Sequence, residues 1–127
     1  HLVLATLHTN DAASAVTRLT DMGIEPFLLS SSLLGVLAQR LVRKLCTHCN
    51  GAGCGECGQT GYQGRTGIFE ILQTTDAIRA QIHNKTSEAD IRAAAIQSGM
   101  TLMREDGERL VREGITSREE LVRVTRD

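Results

Sequence analysis

The chain opens with a short apolar run, Leu2 to Leu7 in "LVLATL", bounded by the polar residues His8, Thr9 and Asn10. Such a run predicts a strand buried on both faces of a parallel sheet. Apolar positions then recur at helical spacing, at Ala12, Ala15, Val16, Leu19 and Met22, behind a cap at Asn10 or Asp11 and ahead of a stop at Gly23. Strand, polar turn and helix are half of a βαβ unit. Pro26 suits the first turn of a second helix, "PFLLSSSLL", which Gly35 interrupts. From Val36 to Leu45 the chain alternates, with Leu37, Gln39, Leu41, Arg43 and Leu45 on one side. This predicts a strand, with a continued helix as the alternative.

Seven of the twelve glycines fall between Gly51 and Gly67, which predicts a loop, and "TGIFEIL", Thr66 to Leu72, reads as a strand leaving it. Beyond this the pattern is helical. Thr75 caps a short helix carrying Ile78 and Ile82, Ser87 opens another that Gly99 closes, and a third runs from about Leu102 to Gly114. Ser117 with Glu120 forms a capping box for the last. Glu88 with Arg92, Glu105 with Arg109, Glu108 with Arg112 and Glu119 with Arg123 are spaced four apart. Each such pair adds about 0.2–0.5 kcal/mol to a helix, and together they describe a solvated face without functional weight.

Composition changes this picture in few places. A chain of 127 residues has room for one domain, or a domain with a small appended module. Aromatic residues make up 2% and tryptophan is absent, so the core is built from Leu, Ile, Val and Ala. A net charge of -1 supplies no global field for nucleic acid. No run of about 18 apolar residues is present, and the first residues lack the basic leader and cleavage site of a secretory signal. Opening in mid-pattern without Met, the sequence reads as part of a longer protein.

The strongest chemical signal is "CTHCNGAGCGEC", residues 46–57, which holds all four cysteines. Cys46, Cys49, Cys54 and Cys57 form two C-x2-C pairs. Two such knuckles can complete a closed tetrahedral site for structural Zn2+, with no position left for water or substrate. The intervening glycines permit the tight return. Arg43, Lys44 and Arg65 stand close in sequence to offset the charge of about -2 on a tetrathiolate zinc. His48 lies inside the first pair and reads as a bystander. Disulfides, a redox pair or an iron site are the alternatives, of which disulfides require an oxidising compartment.

The succession "HLVLATLHTNDAASAVTRLTDMGIEPFLLSSSLLGVLAQRLVRKLC", tetracysteine loop, "GYQGRTGIFEIL" and "DGERLVREGITSREELVRV" resembles the type II secretion ATPase family, general secretory pathway protein E. Its relatives are the type IV pilus assembly ATPases. The resemblance spans essentially the whole chain. It implies an α/β fold in which residues 1–45 are the C-terminal part of a RecA-like P-loop ATPase core. Residues 46–62 are an inserted zinc-binding loop, and 63–127 a returning strand and helical C-terminal region. It also implies ATP and Mg2+ as cofactors of the full-length parent, and a homohexamer on the cytoplasmic face of the bacterial inner membrane. Inner-membrane platform and cytoplasmic recruitment proteins are the implied partners, and ATP hydrolysis there powers assembly of a pseudopilus or pilus.

The opening segment matches the His box of that family, so His8 inherits a catalytic role near the γ-phosphate, with Thr6 and Thr9 beside it. The position also makes sense without the family. Ligands of open α/β sheets sit beyond the carboxyl ends of the strands, and a His there can donate a hydrogen bond to a phosphate oxygen. By itself, a His after a buried strand is more often a turn or packing residue. Arg40 in "AQRL" is a further candidate for the nucleotide side, with a salt bridge as its alternative. The phosphate-cradling G-x-x-x-x-G-K-[ST] does not occur in the 127 residues, so they are expected to be inactive alone. A second reading rests on "CTHCNGAG", which satisfies C-x-x-C-x-G-x-G and is similar to the cysteine-rich repeat of DnaJ-type chaperones. It implies a non-enzymatic zinc-binding interaction module, but that family carries four repeats and neither flanking segment.

Overall fold

The computed structural model describes residues 1–126. In chain order they form helices α1 (Ala12–Asp21) and α2 (Pro26–Ser32), strands β1 (Gly35–Leu45) and β2 (Tyr62–Gln73), and helices α3 (Asp76–His83), α4 (Glu88–Gln97), α5 (Met103–Arg112) and α6 (Arg118–Thr125). The two strands pair with each other. Thr74 N donates to Leu34 O at 3.1 Å at one end, and Cys46 N to Gly61 O at 2.9 Å at the other, which makes the pair antiparallel. The chain divides into two compact units, residues 1–38 with 70–101, and residues 39–69 with 102 onward.

The strand expected over Val36–Leu45 forms, and the returning strand starts earlier than "TGIFEIL", at Tyr62. The strand expected at Leu2–Leu7 does not form. Leu2, Val3 and Leu4 are 75%, 78% and 88% exposed. A strand needs a neighbour to accept its ladder, and among the described residues the sheet consists of β1 and β2, with residues 2–7 paired to neither edge. The half βαβ unit is therefore present only as turn and helix.

In the first unit, Ala12, Ala13 and Val16 of α1 pack with Leu29 of α2, Leu72 of β2, Ile78 and Ile82 of α3, and Ile91 and Ala95 of α4. Small residues on α1 allow the close approach, and the aliphatic core matches the scarcity of aromatics. Asp11 rather than Asn10 caps α1. Its side chain accepts from Ser14 N at 2.8 Å, and the Ser14 hydroxyl returns to Asp11 N at 3.1 Å, a complete capping box. Thr75 and Ser87 cap α3 and α4 as their positions predict.

In the second unit the box expected at α6 is only half made. Ser117 accepts from Glu120 N at 3.1 Å. The Glu120 side chain, however, lies 1% exposed and serves a different purpose. It accepts from Arg43 N at 2.8 Å, Arg43 Nη2 at 3.0 Å, and Arg123 Nε and Nη2 at 2.8 and 2.9 Å. Three guanidinium bonds and a backbone amide outcompete the single N–H that the cap would offer. Around them Thr116 Oγ1 donates to Arg43 O at 2.7 Å, Leu45 N donates to Ile115 O at 2.8 Å, and Arg40 donates to the Val124 carbonyl. Together these bonds fasten the C-terminal helix to β1. Of the four helical pairs expected from spacing, Glu88–Arg92 forms, at 3.2 Å. Arg109 instead meets Asp106 and Glu113, Glu108 meets Arg118, and Arg123 meets Glu120. Long side chains reach partners three apart or on the next element as readily as those four apart. Arg123, placed by its spacing on a solvated face, thus turns to a buried carboxylate instead of Glu119. Among the described residues no helix is long and apolar enough to cross a membrane.

Two predictions follow from this packing. A Cβ on Gly107 would stand 2.1 Å from Leu121 Cδ1, and Leu121 is fully buried. Gly107→Ala should therefore destabilise by about 1–3 kcal/mol in urea denaturation, although alanine is the better helix former. Hydrogen bonds from Arg123 pull the Glu120 carboxyl down to about 2 from the ordinary 4.5, with Arg43 adding to them against the cost of burial. A depressed folded-state pKa gives stability that is present above 4.5 and is lost as pH falls toward 2. Wild-type stability should decline across that window by a few kcal/mol, and the decline should be shallower in Glu120→Gln.

Candidate metal centre

The site is built where β1 ends. Cys46 follows Leu45 directly and is completely buried, while Cys49, Cys54 and Cys57 are half-buried in the loop that returns to β2. The return depends on a close backbone crossing at Gly61. Its φ is 82°, and a Cβ there would stand 2.5 Å from the Gly51 carbonyl oxygen. Only glycine fits both conditions.

This fold brings the four sulfurs together. Cys46 and Cys54 Sγ are 3.8 Å apart, Cys49 and Cys57 3.9 Å, and Cys54 and Cys57 3.7 Å, with all four within 4.8 Å of one another. A tetrahedron with metal–sulfur bonds of about 2.3 Å has edges of about 3.8 Å, so the donor set fits a closed four-sulfur centre. None of the cysteines is joined in a disulfide.

Backbone amides point at the sulfurs. Gly53 N donates to Cys49 Sγ at 3.1 Å, Gly61 N to Cys57 Sγ at 3.2 Å, and Cys54 N to Cys57 Sγ at 3.3 Å. Burial works against the Cys57 thiolate, but the amides of Cys54 and Gly61 outweigh it and bring the thiol down to about 6. Cys49 is lowered in the same way, its burial overcome by the amides of Gly53 and Gly51. Cys54 is pushed up to about 11. The Cys57 amide favours its thiolate, but burial and the neighbouring sulfurs of Cys57 and Cys49 prevail. Crowded sulfurs cannot all ionise without a cation among them, the electrostatic condition of a thiolate metal site.

Arg43, expected to offset the charge on the sulfurs, is committed elsewhere. Its guanidinium serves Glu120 and lies over the Tyr62 ring, 4.2 Å from the centroid. Amide dipoles, which no residue pattern displays, take up part of that role. His48 is exposed and outside the sulfur cluster.

The other residues singled out in the sequence lie at the start of the chain. Thr6 and His8 are exposed, and Thr9 is half-buried with its hydroxyl donating to Asp11 O at 3.3 Å. The irregular segment that carries them leads through a bend at Asn10 and Asp11 into α1. Two buried carboxylates escaped the pattern, Glu70 and Glu120. The signal for Glu70 was an acid in the middle of the apolar strand "GIFEIL".

The family model described as "Type II/IV secretion system protein" matches residues 1–123. The chain is 62% identical over 135 aligned positions to the type II secretion system protein HxcR of Pseudomonas aeruginosa, covering all of this chain and 29% of that protein. It is 47% identical to the type II secretion system ATPase E of Vibrio cholerae, over all of this chain and 30% of that protein. It is 43% identical to the type IV pilus assembly ATPase PilB of Thermus thermophilus, over 98% of this chain and 17% of that protein. Its α/β fold is similar to a crystal structure of the pilus retraction motor PilT with bound ADP, at a TM-score of 0.74 and 25% identity, covering all of this chain and 33% of that one. The chain thus spans less than a third of the length of these relatives. With a match across nearly every residue and relatives well above 40% identity, this chain belongs to the type II/IV secretion system protein family.

Proposed function

We propose that these residues are the C-terminal part of a RecA-like secretion ATPase, in which ATP hydrolysis by a homohexamer powers pseudopilus assembly and protein export by the type II secretion system. The observation that carries the reading is the 62% identity to a type II secretion protein across the full chain, against 43% to the pilus assembly ATPase. The flanks that the DnaJ-type reading leaves unexplained fall inside the family match over residues 1–123.

In this reading residues 1–45 complete the nucleotide-binding core, and His8, with Thr6 and Thr9, faces the phosphates. ATP bound in the parent supplies the phosphoanhydride to be cleaved. The imidazole N–H of His8 donates to a γ-phosphate oxygen, where a fixed donor stabilises developing charge. Cys46, Cys49, Cys54 and Cys57 bind one Zn2+, a structural ion, because four sulfurs leave no open position for water. The parent works on the cytoplasmic face of the inner membrane, against platform and recruitment proteins of the apparatus.

The metal reading is checked by elemental analysis of the chain purified under reducing conditions. About one zinc per chain is expected, and most of it should be lost in Cys46→Ser. A metal-free wild-type chain that folds normally would refute it. For the nucleotide site the measurement is ATPase activity of the full-length parent. His8→Ala should lower kcat by roughly 100-fold, the usual effect of deleting one preorganised donor. The 127 residues alone should show no turnover, and measurable hydrolysis by them would contradict the assignment.

A further inference from the structure

Glu70 is an acid in the buried face of an apolar strand. It is 4% exposed, and its strand neighbours on that face, Ile68 and Leu72, are completely buried. A carboxylate in such a place is costly unless it is hydrogen-bonded. Its Oε2 accepts from Ala12 N at 2.9 Å, across 58 residues of sequence. Ala12 is itself fully buried and is the first residue of α1, so its amide is one of the helix's orphan donors. The positive end of the helix and the carboxylate stabilise each other there.

Further bonds hold the same short segment. Asp11 closes its capping box with Ser14, and its other oxygen accepts from Arg92 Nη2 at 2.8 Å. Arg92 is braced in turn by Glu88 at 3.2 Å. Thr9 Oγ1 donates to Asp11 O. Asp11 is therefore fixed from α4 and Ala12 from β2, with Thr9 tied to Asp11, while the His8 side chain just before them stays exposed. A catalytic donor needs this arrangement, a held backbone with an accessible tip.

We infer that Glu70 is a positioning residue for the nucleotide site, holding through the Ala12 amide the backbone from which His8 reaches the phosphate. This rests on the role proposed above for His8. Misplacing a reacting or stabilising group by about 1 Å can cost 100-fold in rate, so an anchor of this kind acts on kcat more than on nucleotide binding.

A mutant cycle in the full-length parent tests it. Glu70→Ala should lower kcat for ATP about 10- to 100-fold and change KM by less than about three-fold. Glu70→Gln, whose amide oxygen still accepts from Ala12, should recover most of the rate. In a His8→Ala background, Glu70→Ala should cost less than about a further two-fold, because the two act through one group. If the alanine chain does not fold, Glu70→Asp draws the acceptor back by one methylene and enters the same cycle. Independent, multiplicative losses from the position 70 and His8 changes would overturn the inference and leave the role of His8 intact. A His8→Ala enzyme at the wild-type rate would instead remove the proposed nucleotide role, and this inference with it.

Discussion

A carboxylate taken out of water must find donors that replace its hydration, and among the described residues that demand is met at Glu70 and Glu120. In the first unit Glu70 of β2 finds the leading amide of α1. In the second Glu120 of α6 finds the backbone and guanidinium of Arg43 in β1, with Arg123 from its own helix. Apolar packing alone would tolerate small rotations and slides of a helix on a strand. A buried charge with fixed acceptor geometry does not, because a shifted helix leaves it unpaired at a cost of several kcal/mol. Each unit thus has an aliphatic core for cohesion and one acid that specifies registration.

The tetracysteine loop meets a related problem with the sign of supply reversed. Four sulfurs at van der Waals separation repel one another as thiolates, and they require a cation between them or neutralising dipoles around them. Arg43, the nearest arginine in sequence, is committed to Glu120 and Tyr62. Amides of Gly53, Cys54 and Gly61 do part of the work instead. Glycine in this loop is therefore more than permissive. The bends it allows turn backbone N–H groups inward, toward the sulfurs.

Much of this was legible beforehand. Five of the six helices and the β1 strand begin close to where caps and periodicity place them, since Asp11, Pro26, Thr75, Ser87 and Ser117 are local signals that local physics obeys. The tetracysteine cluster was legible for the same reason, its spacing being short enough to fix geometry. What failed was long-range. "LVLATL" has the form of a buried strand, yet a strand exists only with a partner, and a pattern within one segment says nothing of that. Glu120 satisfied a capping motif by spacing, while its true partner Arg43 lay 77 residues away. Glu70 announced itself only as an anomaly, a charge where the alternation called for an aliphatic residue.

The sequence contains a single tyrosine and no tryptophan. That tyrosine, Tyr62, lies under the Arg43 guanidinium, its hydroxyl is 2.6 Å from Ser117 Oγ, and it follows Cys57 by five residues. Near-ultraviolet absorption and emission of these 127 residues consequently originate almost wholly at one ring. The ring stands between the sulfur loop and the cap of the last helix, so these 127 residues carry a native optical reporter at the junction of the candidate metal centre and the docked helix.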